Sequence, residues 1–198
     1  MNNLILFDFD GTITTRDSLK KFLIFYHGWF KVSAGLLALS PFLILYVLKI
    51  ISNNTAKQIL LQWFFNHEPV DIFNQKCKTF ALQCIPKMLR PAAVEQINYH
   101  KNNQETIVVV TASAENWVKP WCEEMNLLCI GTNLEVKANK LTGKYLGKNC
   151  YGPEKVNRIK EQFNLSAFDK IIAYGDSRGD REMFALANPY YYKTFPLT

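Results

Sequence analysis

A chain of 198 residues that is 48% apolar is long enough to bury a core and too apolar to be read as disordered. Its formal net charge of +6 admits phosphate-rich or anionic-membrane partners, but no nucleic-acid motif accompanies the charge, so no nucleic-acid partner is expected. Five cysteines, an odd number with no CxxC pair, argue against disulfides or a zinc site and for a reducing cytoplasm, and the three histidines share no metal-ligand spacing.

Met1-Asn2-Asn3 lacks the basic residue of a secretory signal, and the apolar run behind it stops at Asp8. Leu4 to Phe9 reads as a strand, running into Asp8-Phe9-Asp10-Gly11-Thr12. From about Arg16 to Arg90 no strand pattern occurs, and helices are expected throughout. Thr55 and Gln58 make a capping-box signature there, with Ile59, Leu60, Trp63 and Phe64 as the apolar face of the helix that follows. Cys77 and Cys84, seven apart, share a helical face and read as buried packing.

After Pro91 the pattern alternates. A helix over Ala92 to Lys101 precedes a strand over Thr106 to Val110, which delivers Thr111-Ala112-Ser113. A helix over Asn116 to Met125, a short strand over Leu128 to Gly131 and a hairpin from Leu134 through Asn139 to Tyr145 follow. Lys155 opens a helix over Glu154 to Phe163. A strand over Lys170 to Tyr174 then delivers Gly175-Asp176-Ser177-Arg178-Gly179-Asp180, and a helix runs from Asp180 to Ala187. Near-continuous apolar strands between helices predict a doubly wound, Rossmann-like α/β core with a parallel sheet covered on both faces. Residues 1–15 and 91–198 would form this core, and 16–90 an inserted all-helical cap domain.

Ligand sites in open α/β sheets form beside the carboxyl ends of the strands. Three strands here end on Asp8 and Asp10, on Thr111, and on Asp176 and Asp180. With Lys155 they would place acids, a hydroxyl and a cation around one small anion. Singly, each motif has a plainer reading: a DxD pair is usually two solvated acids, a Gly-Asp-Ser a turn, a helix-borne lysine a solvated charge. A surface turn does not explain two acids placed directly behind four apolar residues.

In this order the motifs resemble the haloacid dehalogenase superfamily, specifically its Mg²⁺-dependent aspartyl-phosphate phosphatases. The helical insert behind the first motif resembles the phosphoserine-phosphatase-like subgroup. The resemblance implies that Asp8 is the nucleophile and that Asp10 protonates the leaving oxygen and later activates water. It implies that Thr111, with the backbone N–H groups of Ala112 and Ser113, binds the phosphoryl oxygens, and that Lys155 screens them. Asp8, the backbone carbonyl of Asp10, and Asp176 would hold Mg²⁺, with Asp180 ligating indirectly or orienting a bound water. A carboxylate attacks a phosphate dianion poorly unless cations screen the repulsion, and Mg²⁺ with Lys155 would supply that screening.

Three departures set the chain apart from phosphoserine phosphatases. Thr111-Ala112-Ser113 stands where they usually carry Ser-Gly-Gly. Asp17, a shorter acid, stands where their glutamate contacts the substrate amine, and no cap arginine motif is recognisable. The cap carries instead 17 uncharged residues, Val32 to Leu48, between Lys31 and Lys49. A membrane span needs about 20 apolar residues. One span would also separate Asp8 from Thr111, Lys155 and Asp176, whose strands must share a sheet. Pro41 predicts two short helices. Buried cap core, homodimer interface and membrane-surface contact remain as readings of this segment. Trp29, Phe30 and Tyr46 beside Lys20, Lys21, Lys31 and Lys49 suit the membrane surface. Apolar cap and core motifs together resemble the bacterial phosphatidylglycerophosphate phosphatases. The expected activity is therefore phosphate-monoester hydrolysis, on a lipid-linked phosphate or on a small soluble ester such as phosphoserine. The enzyme would be cytoplasmic, peripheral at the inner face of the membrane. A non-catalytic membrane-surface module is the rival reading from another class.

Overall fold

The computed structural model describes residues 2–196. Five parallel strands form one sheet in the order β3-β2-β1-β6-β7, with β1 (Asn3–Phe7) central between β2 (Thr106–Ala114) and β6 (Lys170–Gly175). β3 (Leu128–Thr132) and β7 (Tyr190–Tyr192) are the edges. Alternate residues of the central strands enter two different cores, which is why these strands read as continuously apolar. Ile5, Phe7, Ile107 and Val109 face α5 (Pro91–Asn102) and α6 (Glu115–Glu124); Leu4, Leu6, Val108 and Val110 face α7 (Pro153–Gln162) and α8 (Arg181–Phe184).

Between β1 and β2 the chain is helical: α1 (Ser18–Ala38), α2 (Ser40–Val47), α3 (Asn53–Phe65), α4 (Val70–Gln83) and a 3-10 turn at Ile85–Met88. Entry and exit run side by side, Thr15 N–H donating to Met88 O and Arg90 N–H to Ile13 O, both at 2.8 Å. The insert rests on α6 of the core through aromatic rings. Phe22 of α1 stacks on Trp117 of α6 at 4.9 Å and touches Phe65, Phe73 and Phe80 of the other insert helices at 5.7, 5.6 and 5.2 Å. Each such aromatic pair adds about 0.5–1.5 kcal/mol beyond its buried area.

The 17-residue apolar stretch is broken, as Pro41 predicts: α1 and α2 meet at 66° across Leu39. Gly28, at φ 79°, bends α1 once more. Among the described residues no single helix is long and apolar enough to cross a membrane; only this bent pair passes by length and composition.

Several sequence expectations are corrected. β1 ends at Phe7, two residues early, because Asp8 turns toward Lys155, so both acids stand in the loop beyond it. β2 runs on to Ala114 with a register shift after Val110, so Thr111 and Ser113 belong to its irregular end. Ser52, not Thr55, caps α3, accepting the Thr55 N–H at 3.1 Å. The buried edge of α3 is Ala56, Leu61 and Phe65, because that edge meets the core; Trp63 is exposed, and Phe64 and Trp63 lie against Gly35 of α1. α4 ends at Gln83, leaving Cys84 past the helix, and the expected last helix shrinks to a 3-10 turn plus α8. β7 was not anticipated. The hairpin of β4 (Leu134–Lys137) and β5 (Lys140–Tyr145) forms as expected, and in addition clasps the insert: His67 N–H donates to Leu141 O and Leu141 N–H to Glu68 O.

Candidate active site

The residues singled out in the sequence converge at the carboxyl edge of the sheet. Asp8 is held by its own N–H on Tyr174 O at 2.8 Å, which ties β1 to β6 where both strands end. Lys155, on the first turn of α7, is fully covered, and its ammonium donates to Asp8 Oδ1 at 2.6 Å, Asp180 Oδ1 at 2.7 Å and Val110 O at 2.7 Å. Its three N–H bonds are thereby all used. Burial works against that charge, and Asp8 and Asp180 overcome it, holding the ammonium protonated well above its usual range. For Asp8 burial pushes the carboxyl upward; Lys155 counters this and Asp180 adds to it.

Asp180 is wholly buried and braces the loop after β6. Its Oδ2 accepts the N–H groups of Asp176 and Ser177 and the Ser177 hydroxyl at 3.2, 2.9 and 2.8 Å. With Lys155 on Oδ1, Asp180 therefore accepts four hydrogen bonds. Asp176 accepts none among the described residues. Burial and the nearby Asp180 push the Asp176 carboxyl upward.

Asp10 faces away from Lys155, toward the insert. Its Oδ1 accepts the N–H of Ser18 and its Oδ2 the hydroxyl of Ser113, both at 2.6 Å. Ser18 Oγ lies 3.0 Å from Ser113 Oγ and receives the Trp117 indole N–H at 3.2 Å. Burial and the charge of Asp17 push the Asp10 carboxyl upward, against the hydrogen bonds from Ser113 and Ser18. Asp17 itself is exposed and caps α1, accepting the Lys20 N–H at 2.9 Å. Thr111 is buried, and its hydroxyl oxygen accepts the Ser113 N–H at 3.0 Å. The carbonyl of Ala112 between them receives the Lys57 ammonium at 2.7 Å and the Thr132 hydroxyl at 2.9 Å.

Lys57, Ser18 and Arg90 were not anticipated. Lys57 reaches from α3 across to the Thr111–Ser113 loop; burial pushes its ammonium down while Asp10, Asp17 and Asp8 draw it back up. Arg90 clamps the loop after β1 through Gly11 O at 2.9 Å and Thr12 O at 3.2 Å. Only the Asp17-Ser18 pair carried a local signal, as an acid and a hydroxyl at a helix start. Neither Lys57, between Ala56 and Gln58, nor Arg90, between Leu89 and Pro91, belongs to any motif, and tertiary structure alone brings them in.

Carboxylate oxygens of Asp8, Asp176 and Asp180 lie within 4.8 Å of one another. Five acids (Asp8, Asp10, Asp17, Asp176, Asp180) share this region with two ammonium groups, Lys155 and Lys57. The donors are hard oxygens in excess negative charge, a set that fits a small divalent cation such as Mg²⁺.

A parallel sheet with acids, a buried lysine and a hydroxyl gathered at its carboxyl edge defines a Rossmann-like α/β domain with a helical insert and a site built to hold a small anion and a cation. A haloacid dehalogenase-like hydrolase family model matches residues 5–185, and the chain belongs to that family. Protein CicA of Caulobacter vibrioides (strain NA1000 / CB15N) is 35% identical over 196 residues, covering 97% of this chain and 86% of that protein. A Bordetella pertussis Tohama I protein of unknown function superposes with a TM-score of 0.81 at 18% identity, covering 97% of this chain and 90% of the other. A phospho-aspartyl intermediate analogue of phosphoserine phosphatase superposes with a TM-score of 0.60 at 21% identity, covering 97% and 86%.

Proposed function

We propose that this hydrolase cleaves a phosphate monoester through an aspartyl-phosphate on Asp8, with Mg²⁺ as cofactor. The observation that carries the reading is Lys155, buried and shared between Asp8 and Asp180 at 2.6 and 2.7 Å with Asp176 alongside. Uncatalysed phosphate-monoester hydrolysis is among the slowest biological reactions, so the site has to position a nucleophile and neutralise phosphoryl charge.

In this reading Asp8 Oδ attacks phosphorus as the ester oxygen departs. Asp10, whose carboxyl burial and Asp17 push upward, gives that oxygen its proton. Asp10 then takes a proton from the water that opens the acyl phosphate, restoring Asp8 and releasing phosphate. Ser18 and Ser113 orient Asp10 for both steps. On substrate binding Lys155 would exchange one of its three present hydrogen bonds, and the Ser113 N–H its bond to Thr111 Oγ1, for the phosphoryl oxygens, alongside the Thr111 hydroxyl and the Ala112 N–H. Asp8, Asp176 and the backbone carbonyl of Asp10 would hold Mg²⁺, which supplies charge neutralisation at the phosphoryl group. Asp180, with its oxygens already engaged, braces Lys155 and the Asp176 loop. The helical segment 16–90 serves as the cap, closing over the core formed by residues 1–15 and 91–198.

The finer reading is a lipid-linked phosphate, such as phosphatidylglycerophosphate, met at the inner face of the membrane. What favours it is α2, of which no residue is buried, together with Phe30, Leu37 and Val47 at 89%, 76% and 75% exposure. Exposed Lys31 and Lys49 bound this segment in the sequence, matching an anionic surface. Self-association through the same face is the competing use of it. A small ester such as phosphoserine is the soluble alternative, with Asp17 at the mouth of the site as its amine contact. A purely structural membrane module would have no use for a buried lysine shared between Asp8 and Asp180 with Asp176 alongside. Phosphate release from p-nitrophenyl phosphate, phosphoserine and phosphatidylglycerophosphate, with and without Mg²⁺, tests the proposal; no release from any of them refutes it.

A further inference from the structure

A second buried polar cluster lies on the α5 face of the sheet, and none of its side chains takes part in the chemistry above. His100 of α5 stands between two oxygens. Its Nδ1 lies 2.5 Å from Glu105 Oε2 and its Nε2 lies 2.9 Å from the Tyr174 hydroxyl. That hydroxyl lies 3.1 Å from Gln96 Oε1, and Gln96 Nε2 lies 2.9 Å from Pro196 O. Gln96, His100 and Tyr174 are each at most 2% exposed. Glu105 Oε1 accepts the Asn3 side-chain amide at 2.5 Å.

Donors and acceptors along this chain fit in one way. A carbonyl oxygen only accepts, so Pro196 fixes the Gln96 amide with Nε2 toward it and Oε1 toward Tyr174. A phenol has one proton to donate, and Gln96 Oε1 takes it. The Tyr174 hydroxyl must then accept from His100, which puts a proton on Nε2. Nδ1 and Glu105 Oε2, 2.5 Å apart, need a proton between them as well. An imidazole is ordinarily the stronger base, at about 6.5 against about 4.3 for a glutamate. The Asn3 amide donating to Glu105 favours the carboxylate further. Both ring nitrogens therefore carry protons. The charges agree: a neutral imidazole would leave the Glu105 charge buried and unbalanced, whereas imidazolium and carboxylate cancel. The other titratable groups near the ring are Tyr99, at 5.3 Å on α5, and Tyr191 of β7, stacked on Tyr174 at 4.9 Å. Lys101, next along α5, donates to Met125 O at 3.0 Å.

Tyr174 joins this pair to the reacting group. Its carbonyl accepts the Asp8 N–H at 2.8 Å, and its ring stacks on Phe7, the residue before Asp8, at 4.3 Å. The hydroxyl is the far end of that side chain, so anchoring it fixes ring and backbone together. We propose that His100 is a positioning residue of this site: as a buried imidazolium paired with Glu105 it anchors the Tyr174 hydroxyl and thereby holds Asp8 in line for attack. The proposal rests on the phosphatase reading above.

Nitrogen-15 spectra of the imidazole rings test the first half on wild-type protein. The chain has three histidines, so His27→Gln and His67→Gln assign the His100 signal by elimination. Both His100 nitrogens should be protonated at pH 7.5, and one unprotonated nitrogen would overturn the proposal. Glu105→Gln removes the balancing charge, so its His100 ring should hold a single proton at that pH; a doubly protonated ring would overturn the pairing. Tyr174→Phe and His100→Gln test the second half. Each should speed exchange of the Asp8 amide proton more than that of Leu6 in the same strand, which a merely destabilised fold would speed equally. Each should lower kcat for p-nitrophenyl phosphate about 10- to 100-fold with KM little changed, because misalignment of the nucleophile costs rate rather than binding. The double variant should lose no more than either single one, since His100 acts through Tyr174. Additive losses, a KM shift matching that in kcat, or equal exchange at Asp8 and Leu6 would overturn the positioning role. A wild type with the expected ring spectrum, and variants with the expected Asp8 exchange, but no phosphate release would refute the phosphatase reading alone.

Discussion

A Cβ placed on Gly11 would come within 2.3 Å of Asp176 Oδ2. The loop after β1 thus passes so close to the loop after β6 that the residue behind Asp10 has room for a hydrogen only. Gly11 also sits at φ 87°, where other residues are strained. Both constraints serve the same contact, because the turn that presents Asp8 and Asp10 has to leave Asp176 beside Asp8.

Gly11→Ala should therefore push the Asp176 carboxylate aside while the cores stay packed. Backbone strain of about 1–3 kcal/mol should lower the melting temperature modestly. Activity should fall far more, and the Mg²⁺ concentration giving half-maximal rate should rise. Titrating phosphate release against Mg²⁺ checks this; a normal Mg²⁺ requirement in the variant would contradict the placement of Asp176.

Lys155→Met should be among the most destabilising single changes, since it leaves Asp8 and Asp180 buried without their cation. Breaking a buried pair this way costs about 3–5 kcal/mol. The sign with pH follows from the acids: without Lys155 the Asp8 carboxyl stays protonated to higher pH. The loss should be complete only at alkaline pH, above the value of about 7 that Asp8 already has beside Lys155, and shrink as the pH falls and the carboxyl takes up its proton. Urea melts of both proteins at pH 5 and pH 8, in EDTA, read this directly.

Asp10→Asn separates leaving groups. Esters whose alkoxide must be protonated should lose about 10²–10⁴-fold in rate, an activated aryl phosphate much less. Equal losses, with a burst phase showing that phosphoenzyme breakdown is not limiting, would remove Asp10 from the acid role. A stability signature accompanies this. Burial raises the Asp10 carboxyl above its value in the unfolded chain, so ionising it opposes folding. That opposition is absent below the unfolded value of 3.8 and complete above the raised folded one. Asn should accordingly stabilise the fold at pH 8 relative to pH 4.

Much of this site is visible in the chain before any fold is known, and the reason is local. β1, β2 and β6 are buried on both faces, so their uninterrupted apolar runs mark where Asp8, Thr111 and Asp176 must emerge. Lys155 was readable only through the pattern around Gly152-Pro153, because a helix-borne lysine gives no sign of being buried. Lys57 and Arg90 carried no signal, since what matters is the distant carbonyl each one meets. β7 was hidden for a similar reason. Tyr190–Tyr192 follows Pro189 without alternation and becomes a strand by pairing with β6, where Tyr191 stacks on Tyr174 at 4.9 Å. The α3 face was misassigned because that helix has two apolar sides, one on the core and one on α1.

The uncovered apolar face makes a separate prediction. Leu37→Glu with Val47→Glu, both at exposed positions, should abolish binding to anionic vesicles and leave the circular dichroism spectrum and p-nitrophenyl phosphate turnover intact. Wild-type binding should weaken with salt as the lysines are screened, and part should persist, because apolar burial contributes about 25 cal/mol per Å² regardless of charge. If wild type ignores vesicles and sediments as a dimer that the double variant cannot form, the face serves self-association instead.

The most direct test of the account is to catch Asp8 carrying the phosphoryl group. Wild-type protein mixed with an aryl phosphate and Mg²⁺, quenched in acid within the first turnover and digested, should show a phosphoryl mass increment on the peptide containing Asp8. Asp8→Asn protein should show neither the increment nor turnover. Turnover in wild type without any such increment, or sustained turnover in Asp8→Asn, would contradict the covalent mechanism at its centre.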